Sequence, residues 1–409
     1  MKILAIHQNF PGQYKHLLHH LGATGQHTII GIGQHQRARI PGIRTILYKP
    51  ARAVSKETHY YLRTTENAVL NAQEVARVCL KLRSEGFRPD VILGHAGWGE
   101  TLYLKDIYPD VPVIGYFEFF YRAVGADVGF DPEYPASFDD APRIRTWNMP
   151  HLLALDSADF GQTPTIWQKS QIPQRYHDMI SVIHEGIDTA VMRPDENARL
   201  EISGTNLVLD RSHQVITYVA RNLEPYRGFH VFMRALPKIL QRHPNARIVI
   251  VGGDDVSYGR RLPDNQTYRK KLLDEVATDI DMARVHFLGK LPYADFLKVL
   301  QISSAHVYLT YPFVLSWSML EAMAAGCLVI GSRTPPVMEV IEHGKNGLLV
   351  DFFSTEQICD AVTQALTQPE HMLALRRNAR QHIIEHYDLQ SVCLPGQLRL
   401  LERAVGKQF

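Results

Sequence analysis

Two arginines in "YVARNLEPYRGF" (218–229), Arg221 and Arg227, and one carboxylate in "YPFVLSWSMLEAMAAGC" (311–327), Glu321, are the groups here best suited to an anion and a polyol. A guanidinium is permanently charged and can hold two oxygens at once, so a pair of them near a helix start suits a diphosphate. The apolar run before Arg221 predicts a strand that ends at Ala220, with Arg221 projecting from its carboxyl end and Arg227, beside Gly228, where a helix begins. Ser316 reads as the cap of a second helix and Gly326 as its left-handed stop. The open backbone N–H groups and dipole of that helix make an anion site, which the small Ser316 and Ser318 leave approachable. Glu321, one turn further in, is placed to accept from a pair of sugar hydroxyls. Taken singly, each piece has a plainer reading: a capped core helix with a solvated glutamate, and two surface arginines in a loop.

The first half offers different chemistry. "PDVILGHAGWGETLYLKDIYPDVPVIGYFEFFYR" (89–122) puts His95 at a strand end, followed by the small Ala96 and Gly97. A histidine so placed can hydrogen-bond a sugar hydroxyl or steady charge while a glycosidic bond breaks. Glu118 closes the next strand among aromatics, and Trp98 and Tyr121 are candidates for stacking on sugar faces. "HQNFPGQYKHL" (7–17) joins the first strand to the first helix, and Pro11 and Gly12 permit a tight turn there.

The elements that must position these groups alternate almost from end to end. Apolar runs at 2–7, 27–33, 91–95 and 111–117 are separated by helical stretches. The pattern restarts at 214–222 and continues through "ARIVIVGGD", "VHFLGK", "AHVYLTY" and "CLVIGS". Continuous apolar strands between helices indicate parallel sheets covered on both faces. Residues 125–150, rich in Asp, Pro and Gly, read as a long excursion at the edge of a cleft, and 189–212 as the polar junction of two α/β domains. The expected architecture is two doubly wound Rossmann-like domains, 1–190 with a returning helix at 390–409, and 191–389, facing a cleft at the carboxyl ends of their strands. A length of 409 residues suits two cores. Hydrophobic residues at 45% with 21% charged fit a soluble chain, and a net charge of +2 gives no field to select nucleic acid. The four cysteines, Cys79, Cys327, Cys359 and Cys393, form no CxxC pair. With the short apolar run of "MKILAIH" they suggest a cytoplasmic protein without a leader.

The order "VARNLEPYRG", "IVIVGGDD", "VHFLGKL", "AHVYLTYPFVLSWSMLEAMAAG", "TPPVMEVIEHGKNGLLVD" resembles the nucleotide-sugar half of retaining GT-B glycosyltransferases of glycosyltransferase family 4. "HQNFPGQYKHL" with "HAGWGE…YFEFFY" resembles a bacterial subgroup of that family. The resemblance implies that Arg221 and Arg227 hold the donor diphosphate at the family's Arg and Lys positions. Ser318, Met319 and Leu320 would offer backbone contacts, Glu321 would bind the ribose, and Gly252 and Gly253 would admit a close loop. Leu288 would meet the base, and Gly12 would lie beside the donor. It further implies a metal-free transfer, with no cofactor, from a nucleotide-diphosphate sugar to an oligosaccharide or lipid-linked acceptor. Bacterial surface polysaccharide synthesis, with loose association at the inner membrane face, is the implied setting. The family usually carries a second glutamate eight positions before Glu321, and here that position is Phe313. A deoxysugar donor, or a compensating group such as the amides of Val314 to Trp317, would accommodate the change.

The rivals are a sugar-nucleotide epimerase, a phosphorylase and a non-catalytic nucleotide or carbohydrate binder. A phosphorylase should carry a cofactor lysine, which nothing here suggests. "HIIEH" (382–386) fits an HxxEH metal pattern but is short enough to match by chance, and "HLLHH" (16–20) has helical metal spacing but no acidic or cysteine third ligand nearby in sequence. "GIGQHQRA" lacks the third glycine of a dinucleotide fingerprint.

Overall fold

The computed structural model describes residues 1–406, so the last three residues of the expected helix 390–409 lie outside the described residues. The chain divides into two compact units: Met1–Gly186 with the segment that begins at Leu389, and Ile187–Asp388.

The first unit is a seven-stranded parallel sheet. Its strands are β1 (Lys2–Ile6), β2 (Thr28–Gly33), β3 (Ile43–Leu47), β4 (Val91–His95), β5 (Val113–Tyr116), β6 (Phe160–Thr163) and β7 (Ile180–Val182). They lie in the order β3-β2-β1-β4-β5-β6-β7. Central β1 pairs with β2 from Lys2 opposite Thr28 and with β4 from Ile3 opposite Val91. All of β1 beyond Lys2 is buried, as expected of a strand with helices on both faces. One face packs on α1 (Lys15–Ala23) and the helix Leu394–Val405, through Leu17, Leu18, Leu21, Leu400 and Leu401. The other packs on α2 (Arg63–Ser84) through Val75, Cys79 and Leu82.

The second unit is a six-stranded parallel sheet of β8 (Val215–Asn222), β9 (Arg247–Gly253), β10 (Val285–Phe287), β11 (Ala305–Tyr308), β12 (Val329–Ser332) and β13 (Leu348–Val350), ordered β10-β9-β8-β11-β12-β13. Two of its helices bear on the site, α3 (Phe229–Arg242) and α4 (Trp317–Ala324). Met319, Leu320, Ala322, Met323 and Ala324 are wholly buried, which accounts for the apolar bulk of that motif.

Three strands escape the sequence pattern. β3 alternates half-buried and exposed residues at a sheet edge, "FGQT" of β6 has one apolar residue, and β13 has only three residues. The excursion at 125–150 contains a helix, Asp140–Trp147. The polar junction carries a small hairpin, with Leu200–Glu201 antiparallel to Val208–Leu209. Among the described residues, no helix is long and apolar enough to cross a membrane.

Candidate functional site

In the second unit the cationic site grows from the end of β8. The strand runs to Asn222 rather than ending at Ala220, and its register with β9 breaks between Val219 and Asn222. That irregularity turns Arg221 outward between the buried Ala220 and Asn222. Among the described residues Arg221 has no hydrogen-bond or ion-pair partner. Arg227 differs. It closes the short turn Pro225–Arg227 and is 7% exposed. Gly228 follows at φ +66°, where a Cβ would lie 2.4 Å from Leu309 Cβ, so the turn needs glycine to seat α3.

Arg227 Nη1 donates to Thr310 Oγ1 at 2.7 Å, to the Val314 carbonyl at 2.9 Å and to the Tyr308 hydroxyl at 3.2 Å. Its guanidinium carbon lies 5.4 Å from the Tyr258 ring centre. Burial opposes its charge, yet Tyr308, Tyr258 and Glu224 more than offset this and hold the group above the usual arginine range. One terminal nitrogen of Arg227 is thus committed to protein oxygens, and the group is a buried cation.

The same Tyr308 hydroxyl accepts from the Ser316 N–H at 2.9 Å, which ties Arg227 to the start of α4 through one oxygen. Ser316 caps α4 as expected, with Oγ accepting from the Ser318 N–H at 3.3 Å and lying 2.9 Å from Ser318 Oγ. The Met319 N–H turns back to the Ser316 carbonyl at 3.2 Å. Two of the three amides expected to face a phosphate thus have internal partners, while the side chains of Met319 and Leu320 belong to the core. Glu321 is half-buried and accepts from the Tyr293 hydroxyl at 2.9 Å, a partner the motif did not announce.

Phe313 is 5% exposed within an aromatic group, 4.9 Å from Tyr258 and 5.4 Å from Tyr226 between ring centres. It fills the core beside Arg227, and the Ser316 amide offered as its polar substitute is occupied by Tyr308. Gly252 and Gly253 admit protein rather than open space. Added Cβ atoms would come within 2.7 Å of Leu223 Cδ2 and 2.5 Å of Lys290 Cε respectively. Leu288 is half-buried, with its N–H on the Ile250 carbonyl at 2.9 Å.

In the first unit the strand ends carry a polar cluster. His95, 1% exposed, lies between Trp98 and Tyr116, stacked on both with ring centres at 4.4 and 5.2 Å. Its Nδ1 accepts from the Gly97 N–H at 3.0 Å, so the ring proton sits on Nε2. That nitrogen has no hydrogen-bond partner and lies 3.6 Å from Glu118 Oε2. The Glu118 side chain is 34% exposed and accepts from Gln13 Nε2 at 3.1 Å, while Gln168 donates to its backbone carbonyl. Burial pushes the Glu118 carboxyl up, but His95, His7 and Gln13 outweigh it and bring the group below the usual carboxylate range.

Gly12 has φ +53°, and a Cβ there would lie 2.1 Å from His7 Nε2; its place is explained by the ring beneath it. Trp98 stacks one face on His95, and Tyr121 stacks on Trp147 at 4.5 Å in a separate group with His151.

Sequence reasoning missed two buried acids behind this cluster. Glu100 accepts from the Tyr48 hydroxyl at 2.8 Å and is pushed by burial to about 7. Glu185 accepts from the Tyr116 hydroxyl. Glu100 is the acid of "HAGWGE" (95–100) and Glu185 that of "VIHEGID" (182–188), and those positions were the signal that could have flagged them. The metal-like histidines gather nothing further: His382 and His386 lie 4.6 Å apart on Pro369–Tyr387. Among the described residues no three His, Cys, Asp or Glu could hold a metal ion.

Comparison with known proteins places both halves. Residues 25–192 match the glycosyl transferase family 4 group and residues 206–382 match the glycosyl transferases group 1. The D-inositol 3-phosphate glycosyltransferase of Corynebacterium glutamicum (strain R) is 26% identical over 248 residues, 59% of this chain and 57% of that protein. The counterpart from Rhodococcus jostii (strain RHA1) is 29% identical over 206 residues, 50% of this chain and 43% of that one. The chain thus spans about half the length of the curated relatives it matches. Among solved structures, Anabaena Alr3699/HepE in complex with UDP-glucose aligns at TM-score 0.69 and 17% identity, over 99% of this chain and 100% of that one. Sucrose-phosphate synthase from Thermosynechococcus elongatus aligns at TM-score 0.75 and 17% identity with the same coverage. The chain has the GT-B fold, with residues 25–192 similar to the glycosyl transferase family 4 group and residues 206–382 similar to the glycosyl transferases group 1.

Proposed function

We propose that this protein transfers a sugar from a nucleoside-diphosphate sugar to a hydroxyl acceptor, with retention at the anomeric carbon. The observation that carries the reading is the buried Arg227, joined to the start of α4 through the Tyr308 hydroxyl. A fixed cation beside a helix start supplies charge where a departing diphosphate needs it, with no reorganisation during the reaction. Arg221, exposed and without a partner among the described residues, is the cation left to reach a phosphate oxygen. At the Ser318 N–H a new anionic ligand would compete with a long capping bond to Ser316 Oγ at 3.3 Å. Glu321, with one oxygen held by Tyr293, keeps acceptor capacity for ribose hydroxyls.

In the first domain, the 3.6 Å separation between His95 Nε2 and Glu118 Oε2 leaves a donor and an acceptor for one substrate hydroxyl, which would accept from the imidazole and donate to the carboxylate. Phe313 leaves the second domain without the sugar-side acid, and within the first domain the His95–Glu118 pair is suited to reading a substrate hydroxyl. Retention follows from the family resemblance, with the leaving phosphate as base. An acceptor in surface polysaccharide synthesis remains our reading. The relatives named D-inositol 3-phosphate glycosyltransferase make a small phosphorylated polyol the second acceptor to try.

The test is calorimetric titration with UDP, GDP, ADP and dTDP, then turnover of the matching sugar nucleotides with each acceptor class. Micromolar binding of one diphosphate, weakened about tenfold in Arg221→Ala while the fold persists, is expected. Failure of all four to bind would remove the reading.

A further inference from the structure

The polar cluster of the first domain has a direction that a single backbone amide sets. The Asn9 N–H donates to His7 Nδ1 at 2.9 Å, and a backbone proton cannot be exchanged for a lone pair. The neutral His7 ring must therefore carry its proton on Nε2, which lies 2.6 Å from Gln13 Oε1. With its oxygen so engaged, the Gln13 amide presents its nitrogen to Glu118, and Nε2 donates to Oε1 at 3.1 Å. His7 is 2% exposed, and burial, then the neighbouring His95, hold it down to about 3, so the ring stays neutral through the physiological range. The turn that brings Gln13 here lies on the His7 ring at Gly12, where any side chain would collide with it.

We propose that His7 and Gln13 are positioning residues, a one-way hydrogen-bond chain from the Asn9 amide through His7 and Gln13 that fixes the Glu118 carboxylate in one orientation beside His95. The inference deepens the functional reading above and rests on it for the use made of Glu118. The carboxylate has two oxygens and a side chain with several rotamers. Gln13 takes Oε1, which leaves Oε2 facing His95 Nε2 at 3.6 Å. The ionisable groups that act on Glu118 are His95 on β4 and His7 after β1, and His95 in turn feels Glu100 and His151. Neither His7 nor Gln13 need touch substrate.

The test follows the carboxyl carbon of Glu118 by NMR in ligand-free protein labelled at glutamate, with Glu118→Gln to assign the signal. In the wild type its titration midpoint should lie below the usual carboxylate range. Gln13→Met, which keeps the length and removes the donor, should raise the midpoint by about 0.7 pH unit, the worth of one hydrogen bond of about 1 kcal/mol. His7→Phe should raise it in the same direction, and His7→Gln, which can still donate at the Nε2 position, should restore most of it. If Gln13→Met does not fold, Gln13→Leu is the second variant. An unmoved midpoint in a folded Gln13 variant overturns the inference, as does an equal rise in His7→Gln and His7→Phe. With an active donor in hand, Gln13→Met should lower kcat about tenfold and leave UDP affinity within twofold. UDP titration of the same variants separates the two claims: failure of nucleotide to bind removes the functional reading, while the ligand-free titration still judges the chain.

Discussion

The two domains share a fold and hold their polar groups by opposite means. In the first, the groups at the strand ends are imidazoles and one carboxylate, the imidazoles oriented by backbone N–H donors: Asn9 to His7, Gly97 to His95 and Gly186 to His184, each two residues on. In the second, a guanidinium that keeps its charge at any ordinary pH is held by a hydroxyl, a carbonyl and an aromatic face. The lesson is that the first domain's geometry depends on protonation state and the second's does not. That difference can be broken or sharpened by experiment.

The largest effect should come from acid. His7 and His184 are held down to about 3 and His151 to about 4, all by burial in the first domain, whereas His306 at about 3 is the one so depressed in the second among the described residues. A folded-state pKa below the unfolded value near 6.5 means that the unfolded chain takes up protons first. The stability tied to these groups is complete above about pH 6.5 and falls as pH drops toward 3 to 4. At pH 5 each such histidine costs about 2 kcal/mol. The first domain should therefore unfold at the higher pH. Trp98, Trp147 and Trp167 lie in that domain and Trp317 in the other, so fluorescence of Trp317→Phe follows the first alone. Coincident acid transitions for the two domains would undo the comparison.

Arg227→Ala ranks next. It leaves the Thr310 hydroxyl and the Val314 carbonyl without their partner, and a loss of about 3 kcal/mol in urea unfolding is expected, together with loss of nucleotide binding. Glu118→Gln should lower turnover about 100-fold at unchanged nucleotide affinity, because a hydroxyl acceptor becomes in part a donor. Steady-state kinetics with calorimetry reads both. Arg221→Ala should be the mildest to the fold. With an exposed side chain and no partner among the described residues, it should weaken UDP binding about tenfold and leave the unfolding midpoint in place. A matching loss of stability would make Arg221 structural, like Arg227.

Much of this was legible in the residues. Continuous apolar runs announced β1, β4, β8, β9 and β11, because a strand buried on both faces must be apolar throughout. The cap and stop of α4 were equally plain, since Ser316 and Gly326 meet local backbone requirements that no distant contact alters. The missed strands β3 and β6 owe their conformation to the neighbours they pair with, Ile43 opposite Ile29 and Phe160 opposite Ile114, and those partners are far away in sequence.

The sequence by itself determined the kinds of group available: two arginines around a glycine turn, a capped helix with one acid, and a histidine and a glutamate at strand ends. Only the tertiary structure decided which of them are committed. It buried Arg227 and left Arg221 exposed, filled the place of an acid with Phe313, and ran a chain from His7 through Gln13 to Glu118 across 105 residues between the last two. The physical reason is that caps and turns are satisfied within a few residues, whereas the charge of a buried group and the direction of its hydrogen bonds depend on whatever the fold brings beside it.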